Sequence, residues 1–225
     1  MIFSNYKKTN YKPLGLKIDS SPLPPEKIIV PEPTFIAPNK IDHRDFCIPT
    51  DNQANTPYCT GYATAGYIEI KHWQKKHFPK QYDATNIYQA AKALDNFNGD
   101  GSWVKFAVTG AKNLGMIDGD LKYISKSEDD LKFAILEYGA CIGSFRITNE
   151  WNQVNKKNGK IKDLGDKANL LGGHAVLICG YDQNGVYIQN SWGKDWGLWG
   201  FAWLSWKQVH NQFSGGVVIE NIVIR

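Results

Sequence analysis

Near Ala140 the periodicity of this chain changes, and that change restricts its fold more than any other feature. Before it, apolar residues recur at helical spacing. From residue 59 to about 77, Tyr62, Gly66, Ile70 and Trp73 fall on one face, with Ala63 and Tyr67 beside them and Glu69, Lys71, Gln74 and Lys75 on others. Pro57 stands just ahead, as a helix start prefers. Residues 83–94 and 103–114 read as further helices, the second ended by Gly115; Ser127-x-x-Asp130 opens a fourth, through Glu137, that Gly139 closes. After residue 140 the pattern is short apolar runs broken by Gly and Asn, at 141–147, 175–181, 186–189, 201–204 and 216–224, which read as strands. Helices first and strands afterwards predict an α+β protein with a helical half and a β half.

Proline marks off the start of the chain. Seven of the ten prolines fall in the first 40 residues, so this stretch can be neither a helix nor an inner strand, and should run extended over a surface. Ile28-Ile29-Val30 and Phe35-Ile36 are too apolar for a free linker and should dock. The expected division is therefore a proline-rich segment, 1–40, and a folded domain, 41–225.

Charge and cysteine usage exclude several function classes. The 26 Lys and Arg against 22 Asp and Glu are scattered, and Lys156, Lys157, Lys160 and Lys162 sit among Asn and Gly as a solvated loop, so no nucleic-acid partner is expected. No apolar run approaches the ~18–20 residues of a membrane helix. The N-terminus lacks a signal-peptide core and cleavage site, so the expectation is a soluble protein, cytoplasmic or exported by a specialised route, with no membrane partner. Cys47, Cys59, Cys141 and Cys179 show no Cys-x-x-Cys spacing, and His72 and His77 stand alone, so neither a metal nor another cofactor is expected. Cys141 and Cys179 lie in strand-like runs, where a buried free thiol is the default.

Cys59 differs because of what accompanies it. Gln53 precedes it by six residues, and His174 and then Asn190 follow in the β half. Gln, Cys, His and Asn in that order are the parts of a thiol acyl-transfer site: a thiolate attacks a carbonyl, an imidazole moves the proton, one amide orients the imidazole and another holds the oxyanion. The first turn of a helix aims partial positive charge at the sulfur, and a neighbouring imidazolium would favour a standing thiolate–imidazolium pair. His174 reads as opening a strand and Asn190 as closing the next one of the same hairpin. A tight Asn184-Gly185 turn would offset the two, whereas a wider loop centred near Asp182-Gln183 would set them opposite.

These residues carry a resemblance to the papain family of cysteine peptidases. Gly173-His174-Ala175-Val176, Gly180-Tyr181, Asn190-Ser191-Trp192-Gly193 and Trp196-Gly197 resemble its His and Asn motifs, and Asp51-Asn52-Gln53 with Cys59 its oxyanion and nucleophile segment. Residues 127–142 resemble the helix that leads into its central β-region, and Gly101-Ser102-Trp103 stands where it has a Gly-Gly-aromatic substrate edge. The likeness covers roughly residues 41–206. In place of the family's Cys-Gly-Ser-Cys-Trp, this chain has Thr56-Pro57-Tyr58-Cys59-Thr60, and its Cys-to-His spacing is shorter than the ~130–150 residues usual in such enzymes. Those departures are similar to the bacterial, xylellain-like branch.

The resemblance implies a papain-like two-lobed fold, a helical lobe and an antiparallel β-barrel-like lobe with the cleft between them. It implies Cys59 as nucleophile, His174 as general base and acid, Asn190 as orienter and Gln53 as oxyanion donor beside the Cys59 N–H. Trp192 would shield the Asn190–His174 bond, and Gly101, Ser102, Trp103 and Gly173 would line the substrate. The expected function is a cysteine endopeptidase acting on peptide or protein substrates through a thioester. The alternatives are a Cys-His acyl hydrolase or transferase acting on a non-protein or isopeptide substrate, and an inactive papain-like binding protein. Residues 1–40 are expected either to lie across the Cys59–His174 cleft and inhibit it, or to wrap a lobe.

Overall fold

Pro57 and Tyr58 lead into the central helix of the molecule, α1 (Cys59–Lys76), which His77 ends in a left-handed conformation. The structure, a computed structural model, describes residues 14–21, 24–163 and 165–225. Helices α2 (Ala84–Asp95) and α3 (Val104–Asn113) pack together and on α1. Asp83 caps α2 by accepting the Asn86 N–H, and Ser127 caps α4 (Glu128–Tyr138), which Gly139 closes.

The strands are β1 (Ile41–Asp42), β2 (Ile117–Ile124), β3 (Cys141–Thr148), β4 (Leu170–Asp182), β5 (Gly185–Gln189), β6 (Phe201–Ser205) and β7 (Phe213–Ile224). They pair antiparallel in the order β2-β7-β3-β4-β5-β6, and β1 pairs with β4 where β3 has ended. The path has two ends, β2 and β6, that do not meet among the described residues; the barrel-like lobe expected above is an open sheet. Between β6 and β7 lies α5 (Trp206–Gln212), opened by a Ser205–Gln208 capping box.

Three elements escaped the sequence reading: the two-residue strand β1, strand β2 and helix α5. Strand β2 is half polar and carries a bulge between Asp118 and Asp120, which breaks its alternation. Helix α5 is too short to show a period. Helix α1 also differs from expectation. It is wrapped on most sides, by the sheet, α2 and α3, so Glu69, which falls on a polar face by periodicity, is buried.

The described part of the proline-rich segment lies on the folded body. Ile28 bridges Tyr123 and the Ile29 N–H bonds the Tyr123 carbonyl, covering the exposed edge of β2. Phe35 meets Phe133 of α4 edge-on, while Val30 and Ile36 are exposed. No helix among the described residues is long and apolar enough to cross a membrane.

Candidate active site

Cys59 is the first residue of α1, and strand β4 faces it from the sheet. His174 sits well inside β4 rather than at its start, because Gly172 and Gly173 continue the ladder, opposite Ile147 and Arg146. The turn between β4 and β5 is Gln183-Asn184, tighter than the wide loop and one residue earlier than the Asn184-Gly185 turn considered above, and a bulge at Cys179 shifts the register once more. Continued, that register puts Asn190 across from Val176, on the same face as His174 and one step along the ladder. The diagonal is short enough to bridge: His174 Nε2 and Asn190 Oδ1 are 2.7 Å apart. Asn190 Oδ1 also accepts the Ser191 N–H at 2.8 Å, which fixes the amide. The Trp192 ring lies 4.8 Å from the imidazole, and Trp151 meets it edge-on at 6.1 Å. Both rings pack against the imidazole that makes the His174–Asn190 bond.

Gln53 is buried in the loop before α1. Its Nε2 donates to the Thr56 carbonyl at 2.8 Å, its Oε1 accepts from Ser191 Oγ at 2.6 Å, and its N–H bonds the Ser191 carbonyl. Ser191, Thr56 and Asn52 are therefore the residues that hold this loop: Asn52 bridges Trp192 and caps Ala54. The sequence reading gave them no role, although Ser191 sits inside the Asn-Ser-Trp motif. Among the described residues, no group of three or more His, Cys, Asp and Glu could hold a metal ion.

An extended piece of the N-terminal segment fills the space between the walls. The Ser102 N–H bonds the Gly15 carbonyl at 2.8 Å, the Lys17 N–H bonds the Ser102 carbonyl at 2.8 Å, and the Leu16 N–H reaches the Gly173 carbonyl at 3.3 Å. Residues 15–17 thus take up hydrogen bonds on both sides of the cleft. Ser102 and Gly173 are brought together around them, with Gly101 just beneath; Trp103 directly precedes α3 and packs edge-on to Phe97 and Phe106. Leu16 and Ile18 border an apolar cavity of about 90 Å³ lined also by Trp103, Tyr123, Ser144 and Gly216. Position 15 must be glycine, since a Cβ there would fall inside the Pro57 carbonyl. The apolar anchors expected to reach the cleft, Ile28-Ile29-Val30 and Phe35-Ile36, lie elsewhere; residues 15–17 cross it instead.

Burial sets the electrostatics of the two groups. Cys59 and His174 are both wholly buried. Burial pushes the thiol up to about 11, against the pull of the Ala175, Gly15, Thr60 and Cys59 N–H groups. It pushes the imidazole down to about 4, only partly offset by the Asn190 bond. With the segment in place both groups are neutral at pH 7, unlike the standing ion pair expected from the sequence. His174 Nδ1 has no hydrogen-bond partner among the described residues.

Residues 110–217 match the model of the papain family cysteine proteases. No curated protein sequence matches the chain significantly. Among solved structures the chain is similar to xylellain, a cysteine protease from Xylella fastidiosa, at 20% identity and a TM-score of 0.80, covering 95% of this chain and 98% of that one. It is similar to proCathepsin B S9 from Trypanosoma congolense at 14% identity and a TM-score of 0.70, covering 92% and 86%. It is also similar to digestive procathepsin L 3 of the Tenebrio molitor larval midgut at 16% identity and a TM-score of 0.67, covering 84% and 71%.

Proposed function

We propose that this chain, a papain-like cysteine protease by its family match and its fold, hydrolyses peptide bonds within extended substrates through a Cys59 thioester, and that its own N-terminal segment restrains it. The 2.7 Å His174–Asn190 bond, carried on the strand that packs against the helix Cys59 opens, supports the reading. Once the cleft opens to water and substrate, desolvation is relieved and the proton can pass from Cys59 to His174. The thiolate then adds to the substrate carbonyl, and the oxyanion takes hydrogen bonds from the Cys59 N–H and the second N–H of Gln53 Nε2, the first staying on the Thr56 carbonyl. His174 returns the proton to the leaving amine, giving a thioester and a free amine. A water that His174 deprotonates then attacks the thioester, releasing the acid and regenerating the thiol. Asn190 holds the ring in register throughout.

The restraint has two physical parts. Residues 15–17 occupy the backbone hydrogen bonds that an extended substrate would make at Ser102 and Gly173. By excluding water they also keep thiol and imidazole neutral. A peptide epoxide probe tests the reading directly: it should attach to Cys59, as mapped by mass, and block cleavage of an unfolded protein substrate. Cleavage of cell-wall fragments but not of unfolded protein would move the substrate out of the peptidase class, and absence of any labelling after the segment is displaced would favour a binding protein.

A further inference from the structure

The loop joining α2 to α3 forms the edge on which residues 15–17 lie, and two side chains of α2 organise it. Lys92 Nζ donates to the carbonyls of Phe97 at 2.5 Å, Gly99 at 3.0 Å and Gly101 at 3.2 Å, and pairs with both Asp95 carboxylate oxygens at 3.1 Å. Tyr88, four residues earlier and so on the same helix face, accepts the Gly101 N–H on its hydroxyl at 2.9 Å. Gly101 is therefore gripped at both its N–H and its C=O. It adopts φ +86°, and the next residue, Ser102, turns its own N–H and C=O to Gly15 and Lys17. The Tyr88 ring in turn stacks on Tyr58 at 4.1 Å, the residue that precedes Cys59.

A lysine in the last turn of a helix commonly bonds that helix's own last carbonyls. Lys92 does something else. Its three carbonyl acceptors all lie beyond the helix end at Asp95, in a loop without regular structure. Five oxygens within 3.2 Å of one ammonium form a cation cage, with the buried Asp95 carboxylate as counter-ion. The described cysteines are all free, so no disulfide ties this loop down. The ammonium is its fastening.

We propose that Lys92 and Tyr88 are positioning residues for peptide binding: by clamping Gly101 from both sides, they hold the Ser102 backbone at the distance from Cys59 that an extended chain requires. This rests on reading the cleft as a peptide site, so the test reads the edge itself and needs no thiol chemistry. Amide hydrogen exchange would be followed in the full chain for wild type, Lys92→Met, Lys92→Arg and Tyr88→Phe. In Lys92→Met the Ser102 and Lys17 amides, which join the edge to the covering segment, should exchange about tenfold faster or more, with β3 and β4 unchanged. Lys92→Arg, which keeps the charge and the donors, should return them to within about threefold of wild type, and Tyr88→Phe should fall between. If only the amides in the last turn of α2 respond, Lys92 is a helix cap and the proposal is overturned. Should Lys92→Met fail to fold, Tyr88→Phe decides, because it deletes a single oxygen; unchanged exchange at Ser102 and Lys17 there would overturn it equally. A failure of the peptidase reading would show separately, as absent Cys59 labelling in a chain whose edge still responds to these substitutions.

Discussion

The two walls of the cleft are built by different means. On the sheet wall, β4 is bonded on one side by β3 from Leu170 to Ile178 and on the other by β5 from Leu177 to Asp182, so backbone ladders set where His174 stands. On the helical wall, Cys59 starts a helix, but the approach to it and the edge on which residues 15–17 lie are loops tied by side chains: Gln53 to Thr56 and Ser191, Lys92 and Tyr88 to Gly101. The family match, residues 110–217, takes in the whole of β3, β4 and β5 and stops short of Cys59 and its loop. A ladder keeps its geometry through many side-chain changes and needs only a few fixed residues, whereas a side-chain-tied loop can be re-tied by another set of partners. The helical wall is where this chain has its own solution.

The sharpest break between the walls is chemical. Cys59→Ala should reduce peptide turnover to background with the fold intact, whereas removing the thiol of Cys47, Cys141 or Cys179 should leave measurable activity. Circular dichroism and a turnover assay on the four variants check this. Activity retained in Cys59→Ala would falsify the assignment of the nucleophile.

Each wall also supplies an amide, and the two should fail differently. Gln53→Ala should lower kcat by ~10²–10³-fold with little change in KM, as expected of a donor engaged in the transition state. Asn190→Ala should instead act through the imidazole, lowering the basic limb of the pH–rate profile because His174⁺ loses its acceptor. Identical pH profiles in the two variants would erase the distinction between an oxyanion donor and an orienter.

Legibility in the sequence follows the same divide. Helices α1 to α4 and strands β3 to β7 were readable because burial imposes a period on them, and the His174 and Asn190 motifs lie on such elements. The diagonal placement of Asn190 was not, since it depends on a one-residue bulge at Cys179 that leaves no compositional trace. Nor were the partners of Gln53 and Gly101. Ser191 lies inside the Asn-Ser-Trp motif but acts through a contact distant in sequence, and Lys92 and Tyr88 act on a single loop with nothing in their local pattern to mark them. The route of residues 15–17 was equally hidden. Gly15 looks like a linker glycine until Pro57 is seen against it.

That glycine offers a weaker but direct test of the covering segment. Gly15→Ala should expel residues 15–17 and raise the rate of Cys59 alkylation at pH 7 by about tenfold or more, through both access and a larger thiolate fraction. The cover should also depend on pH, with a sign set by its two buried groups. Covered, His174 titrates near 4 rather than near its ordinary 6.5, so the covered state is stable above about 6.5 and loses ground as pH falls toward 4. Covered, Cys59 titrates near 11 rather than 9, so the same state also weakens as pH rises above about 9. Exchange of the Leu16 and Lys17 amides, corrected for intrinsic rates, should be slowest relative to intrinsic between those limits. A flat profile would mean that the segment does not hold the two groups neutral.

The smallest expected effect lies deep in the helical wall, at the residue whose burial the periodicity of α1 concealed. Glu69 is 5% exposed, accepts the Tyr82 N–H at 2.9 Å, and is pushed up to about 8 chiefly by burial, with the nearby Asp51 carboxylate adding to the rise. Unfolded, it titrates near 4.5. The folded chain therefore holds a proton that the unfolded chain releases between about 4.5 and 8, and stability is full below that window and falls as pH rises through it. Gln keeps the acceptor for Tyr82 and carries no charge. Glu69→Gln should leave the melting temperature near wild type at pH 4.5 and raise it by roughly 3–6 °C at pH 8. It should leave the peptide kcat nearly unchanged at pH 6, because the residue stabilises the wall without touching the reacting atoms. Thermal unfolding followed from pH 4.5 to 8 decides: a melting curve for Glu69→Gln that runs parallel to wild type across the window would mean that Glu69 is ionised in the fold, and that this side of α1 is wetter than its burial implies.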